Sequence, residues 1–165
     1  MNLLEVQENL IYFRFTLIRT MSRHTRIQGL IIKDHKILLI RGYEIQTGIS
    51  FWVIPGGHRE AGESEEECLV REMREETHLE VRVEKLLIEQ AFPLDGPNAV
   101  YKSFLCTPIG GQLRPGSEPE DDNFEIAALR WFDLRDEKSW SINLKKDPYT
   151  YPQLLNIRKI LGYTT

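Results

Sequence analysis

The segment PGGHREAGESEEECLVREMREETHLEV begins at Pro55 and concentrates acid on one short stretch, which its spacing predicts to be a helix from about Ser64 to Thr77. At about 100° per residue, Glu72, Glu75 and Glu76 project within an arc of roughly 100°. Crowding three carboxylates costs free energy in water. A divalent cation turns that cost into binding, because hard Mg²⁺ prefers oxygen ligands at about 2.1 Å. Leu69 and Met73 flank the arc, so the helix can seat on a core while its acidic edge faces a cleft.

The turn ahead of the helix has its own logic. Ser64 followed by Glu67 fits a capping box, which specifies where the helix starts. Gly56 and Gly57 allow backbone groups to approach a ligand closely, and a carbonyl there can serve as a further metal ligand. Arg71 lies four residues from both Glu67 and Glu75 and can hold a neighbouring carboxylate in place. The competing reading is a solvated surface helix laced with such pairs.

The elements that must position these residues follow from periodicity. RIQGLIIKDHKILLIRGYE reads as two strands around the turn Lys33-Asp34-His35-Lys36, and ISFWVIPGG as a short aromatic strand ending at Pro55. Leu79, Val81 and Val83 alternate with Glu80, Arg82 and Glu84, the period of a half-buried strand. AVYKSFLCTPIGG is another strand, QLRPGSEPEDDNFE a polar loop long enough to suggest function, IAALRWFDL a strand and YPQLLNIRKILGY a closing amphipathic helix. The pattern is an α/β domain with a mixed sheet.

With 165 residues, one compact domain is expected. No stretch has the length and apolarity of a membrane span. A net charge of −4 gives no general attraction for a phosphate backbone, so bulk nucleic-acid binding is disfavoured and a small anionic substrate needs local cations. Cys68 and Cys106 form neither a CxxC pair nor part of a His cluster, and are read as reduced, partly buried thiols of a cytoplasmic protein. In residues 1–22, Glu5, Glu8, Arg14 and Arg19 break the pattern of an export signal. That stretch is read as an extension or added strand, with Met21 as an alternative start, ahead of one domain over 23–165.

The acidic segment resembles the Nudix box: Gly, five residues, Glu, seven residues, then Arg-Glu-apolar-any-Glu-Glu-any-Gly-apolar. Here Gly57, Glu63, Arg71, Glu72, Met73, Glu75, Glu76 and Leu79 occupy the specified positions, and His78 replaces the penultimate Gly. Agreement at six fully specified positions arises by chance roughly once in 10⁵–10⁶ windows of a Glu-rich segment. The flanks KILLIRGY, FWVIPGG and FEIAALRWFDL also look like the family's strands. The resemblance implies a Nudix-like α/β/α sandwich with a mixed β-sheet.

By the same resemblance, the chain is expected to hydrolyse a nucleoside diphosphate linked to another group, using Mg²⁺ or Mn²⁺. Glu72 and Glu76 look like the principal metal ligands, with Glu75 sharing the metals or acting on the water and Gly56 supplying a carbonyl. Glu63 and Arg71, with Gly57, look structural. Family members often carry a further Glu as base, for which Glu125 is the candidate and Glu120, Asp121 and Asp122 the rivals; a second acid is missing where Ala128 stands. Arg41 is favoured over His58 and Arg59 for clamping phosphate, and Trp52, Tyr43, Phe51 and Tyr101 are candidates for stacking on a base. Trp131 is read as core, and Arg14, Arg19, Arg23 and Arg26 as either reaching a substrate or solvating an edge strand, the second reading being favoured. Pro93 points faintly to ADP-ribose as substrate, and a nucleoside triphosphate is equally open. A dinucleoside polyphosphate or capped RNA comes second. A homodimer is possible. A nucleotide-sensing module without turnover is the alternative, against which stands the retention of all the box acids. The His78 position is expected to end the helix with positive φ.

Overall fold

A computed structural model describes residues 25–92, 100–117, 119 and 121–164. Residues 1–22, and with them Arg14, Arg19 and Met21, lie outside the described residues, as do Arg23, Pro93 and Glu120. β1 (Thr25–Leu30) leads through β2 (Ile32–Lys33) into the long β3 (Lys36–Glu44). The β2–β3 turn has Asp34 and His35 at φ 50° and 63°, the left-handed pair that a two-residue hairpin requires.

β3 organises one four-stranded sheet. It pairs antiparallel with β2, with β4 (Ser50–Val53) and, along its other edge, with β8 (Phe124–Asp133). The second sheet has the order β5-β1-β7-β6, where β5 is Gly56–Gly57, β6 Leu79–Ala91 and β7 Val100–Gly111. β1 and β7 run parallel and the other pairs antiparallel, so the sheet is mixed as expected. β1 is interior, flanked by β5 and β7, which corrects the expectation that Arg26 sits on an edge strand.

Alternation along the strands builds two cores. Ile27, Ile31 and Leu38 pack with Leu69 and Met73 of α1 (Glu65–Thr77), together with Cys68 and Cys106. Leu30, Ile37 and Leu39 point the other way, onto Leu154 and Ile157 of α3 (Thr150–Ile160) and Leu144 of the short α2 (Ile142–Lys145). The two-residue period thus turns one strand into a wall with a helix on each side. This is the α/β/α arrangement, each fully buried Leu or Ile contributing about 1.5–3 kcal/mol. Trp131 is half-buried against the α1 side.

The start of α1 is as read: Ser64 caps it and the reciprocal bonds with Glu67 are both present. Its end is held by a segment that periodicity did not assign to it. The loop after β7 returns its amides to the last carbonyls of the helix, Gly116 N to Glu76 O at 2.9 Å, Ser117 N to Glu75 O at 3.1 Å and Arg114 N to Thr77 O at 3.2 Å. These carbonyls have no partner within the helix, so part of the loop's length serves as a cap. His78 takes φ 58°, ψ 21°, and its Nδ1 lies 3.3 Å from Arg114 O.

His78→Gly relieves the left-handed cost but loses the contact to Arg114 and adds freedom to the unfolded chain. Denaturant unfolding is expected to give a change within about 1 kcal/mol of zero. A loss beyond about 2 kcal/mol would show that the imidazole anchors the loop.

Candidate active site

Arg71 is the centre of the site. Its Nε donates to Glu63 Oε1 at 2.9 Å, and its Nη2 to Glu63 Oε2 at 3.1 Å and to His58 O at 3.0 Å. Its Nη1 donates to Glu72 Oε1 at 2.9 Å and Glu75 Oε2 at 3.2 Å. A guanidinium has five N–H donors, and all five are engaged. Arg71 therefore ties the loop ahead of α1 to the helix. Of the two partners that helical spacing offered, only Glu75 is used, because Glu67 is committed to capping Ser64.

Glu72 and Glu76 are almost fully buried, while the Glu75 side chain is 30% exposed. Glu76 Oε2 accepts the Gly56 amide at 2.7 Å. Glu72 lies against Gly57, where a Cβ would come within 2.1 Å of its Oε1. Gly56 has φ 146°, and a Cβ there would fall 2.0 Å from Ile27 O. The glycine pair is thus what lets β5 squeeze between β1 and the acids. The three carboxylates share one region as expected, but Glu72 and Glu75 turn toward Arg71 and Glu76 toward an amide, a correction to the free convergence that spacing alone implied.

Electrostatics favour a cation here. Glu72, Glu75 and Glu76 all fall in the C-terminal half of α1, where the helix dipole is negative and an acid is least favoured. Among the described residues no three acid, His or Cys side chains form a preassembled cage. Mg²⁺ needs none, since it binds through one or two carboxylates and keeps several waters. The donor set is all oxygen and anionic, and suits a hard divalent ion. Hydrogen bonding to Arg71 holds the Glu63 carboxyl below its ordinary 4.5. Burial, with the negative charge of Glu72 beside it, pushes the Cys68 thiol up to about 12. Burial does the same to Cys106. Both cysteines are free.

A cavity of about 190 Å³ is lined by Arg41, Ser50, Phe51, Trp52, Arg130, Ser141 and Asn143. Arg41 and Trp52 face each other across β3 and β4, and Arg41 Nη2 donates to Ser50 Oγ at 2.9 Å. Trp52 is 9% exposed and packs edge-on to Phe132 with centroids 5.0 Å apart, so its ring belongs to the core and only its margin reaches the cavity. Tyr101 is buried beside Phe92. Tyr43 and Phe51 are half-buried, with Phe51 tilted onto Phe124. His58 and Arg59 are exposed in the loop after β5 and do not line the cavity. Glu125 is exposed on β8 opposite Tyr43, on the Arg41 side of the sheet. Asp121 accepts the Asn123 amide and shapes the turn into β8, and Asp122 is exposed. Arg130, Ser141 and Asn143 were missed by sequence reasoning, as they come from separate segments with no shared spacing.

A family model, the NUDIX domain, matches residues 23–153. The chain is 38% identical over 100 residues to an ADP-ribose pyrophosphatase of Methanocaldococcus jannaschii, covering 59% of each chain. It is 34% identical over 105 residues to the NAD-capped RNA hydrolase NudC of Pseudomonas fluorescens, covering 64% of this chain and 34% of that one. The chain therefore spans well under two thirds of the length of these relatives. A crystal structure of a UDP-X diphosphatase is 27% identical with a TM-score of 0.64, covering 86% of this chain and 64% of that one. A MutT protein from Methanosarcina mazei matches the fold, at 18% identity and TM-score 0.66, over 87% of this chain and 99% of that one.

The depressed Glu63 carboxyl gives a signed prediction. Its contribution to stability is fully present above the unfolded value of 4.5 and is lost as pH falls through the lower folded value. Glu63→Gln is expected to lower the melting temperature at pH 7 and to flatten the acid limb of the stability curve; an unchanged acid limb would show that the pairing contributes nothing.

Proposed function

The chain belongs to the NUDIX family, and from that premise we propose that it is a divalent-metal-dependent pyrophosphohydrolase acting on a small nucleoside-diphosphate-linked substrate. The observation that carries the reading is the saturated Arg71, which fixes Glu72 and Glu75 beside the glycine strand while Gly56 fixes Glu76. Mg²⁺ or Mn²⁺ bound there supplies Lewis acidity to the phosphoryl oxygens and lowers the pKa of water.

In this reading Glu72 and Glu76 are the principal ligands, held in place before any ion arrives, and the Gly56 carbonyl is a further one. Glu75, the most exposed of the three, accepts the proton of the attacking water; Glu125 is the alternative base. Arg41 holds a phosphate at the mouth of its cavity, with His58 and Arg59 of the loop after β5 as weaker contacts. The cavity is smaller than the pockets that enclose whole ligands, so it takes one portion of the substrate. The archaeal relative makes ADP-ribose the first substrate to try. The NudC relatives suggest a NAD-type cap, but the net charge of −4 offers no broad attraction for the RNA behind it.

Product release from ADP-ribose, UDP-sugars, NADH, a dinucleoside polyphosphate and nucleoside triphosphates, with Mg²⁺ or Mn²⁺ and with chelator, tests this directly. Metal-dependent cleavage of at least one is expected, and none in chelator. Glu76→Gln keeps an oxygen to accept the Gly56 amide, so its melting temperature should hold while turnover falls by roughly 100-fold or more. Turnover within threefold of the wild type would remove Glu76 from the metal site.

A further inference from the structure

Away from the α1 carboxylates and the Arg41 cavity, one face of β1 carries polar atoms without partners among the described residues. Arg26 and Gln28 stand two residues apart on this strand, so their side chains leave the same face, the one that Leu30 continues into the α3-side core. Gln28 is fully buried and Arg26 half-buried. Among the described residues, Arg26 Nε and Gln28 Nε2 are both buried nitrogens with no hydrogen-bond partner. The other end of the Gln28 amide is taken, since Ser103 Oγ donates to its Oε1 at 3.1 Å. Two buried donors left empty on one face are unusual in a native fold and call for an acceptor.

The strand is next to the reaction centre. Gln28 pairs with Gly56 and Ile27 with Gly57, the two glycines against which Glu76 and Glu72 rest. Arg71 offers substrate nothing, because each of its N–H groups is already used. A positive contact for an anionic substrate on this side of β5 must come from elsewhere, and Arg26 is the cation that β1 supplies.

We propose that Arg26, with Gln28 behind it, is a substrate-contacting residue that takes the non-bridging oxygens of a phosphoryl group. Arg26 supplies charge and a free N–H, and Gln28 Nε2 a neutral donor for an oxygen of the same group. Two donors with no acceptor between them select an oxygen-rich anion over a base edge, which would present donors as well. The inference rests on the pyrophosphohydrolase reading for the identity of the anion, while the donors themselves belong to the fold.

The test uses the full chain with Arg26→Gln, Arg26→Lys and Gln28→Leu. Two quantities are measured: the melting-temperature shift given by inorganic pyrophosphate in metal-free buffer, and KM against kcat on whichever nucleotide the wild type cleaves. Arg26→Gln should abolish most of the pyrophosphate shift and raise KM at least about tenfold, as loss of a charged hydrogen bond does, with Arg26→Lys recovering part of both. Gln28→Leu removes a buried donor but also the acceptor of the Ser103 hydroxyl, so it should melt modestly lower than the wild type and bind pyrophosphate more weakly. No pyrophosphate shift in the wild type, or an unchanged shift and KM in both Arg26→Gln and Gln28→Leu, overturns the proposal. If Arg26→Gln does not fold, Gln28→Leu alone decides. A wild type that cleaves no nucleotide but loses its pyrophosphate shift in Arg26→Gln keeps the anion contact and removes the hydrolase reading.

Discussion

A guanidinium with every donor occupied is the constraint around which this site is built. Arg71 reaches back to Glu63 in the preceding loop, across to the His58 carbonyl and along its own helix to Glu72 and Glu75. Each bond is modest in isolation, but together they fix the loop from His58 to Glu63 onto the helix. A fork that is geometrically committed on all sides cannot be replaced by Lys, which has the charge without the planar array. The glycines then complete what the arginine begins. With no Cβ at 56 and 57, the β5 backbone closes onto β1 on one side and onto Glu72 and Glu76 on the other.

The helix carrying these acids is held under opposing electrical preferences. Its first turn contains Glu65, Glu66 and Glu67, which the positive end of the helix dipole welcomes. Its later acids sit where the dipole repels them, and the loop at 112–117 binds the terminal carbonyls and keeps that last turn from fraying. The structure therefore stores unfavourable charge in a place that cannot relax by unwinding. A cation bound as proposed would relieve it.

The sequence was most legible where a short-range rule acts. Ser64 and Glu67 announced the helix start, the turn at Asp34 and His35 announced a hairpin, an apolar run announced β3 and alternation announced β6. His78 in left-handed conformation follows from a motif position whose usual occupant is glycine. What escaped was set by contacts between distant segments. The choice of Arg71 partners depends on Glu63 folding back across a loop and on Glu67 being spoken for. Trp52 reads as a stacking platform until β8, on the far edge of β3, brings Phe132 onto it. Arg130, Ser141 and Asn143 meet Arg41 only because β8 lies beside β3 and α2 follows, and no spacing in the chain records that meeting. β1 looked like an edge because the parallel partner that covers it arrives some seventy-five residues later, as in Gln28 beside Ser103.

The two sheets divide the labour in a way that bears on how such a molecule can change over time. The acids rest on β5 and β1 of one sheet, whereas the Arg41 cavity is walled by β3, β4 and β8 of the other and by α2. Between Arg41 and Gly42 the pairing with β8 shifts register, so the outer end of that sheet is locally uncoupled from the regular ladder that carries the core. Substitutions at Ser50, Arg130, Ser141 or Asn143 reshape the recess without touching a glycine or a carboxylate. Recognition in this architecture can therefore drift by surface exchange while the glycines and carboxylates are inherited intact.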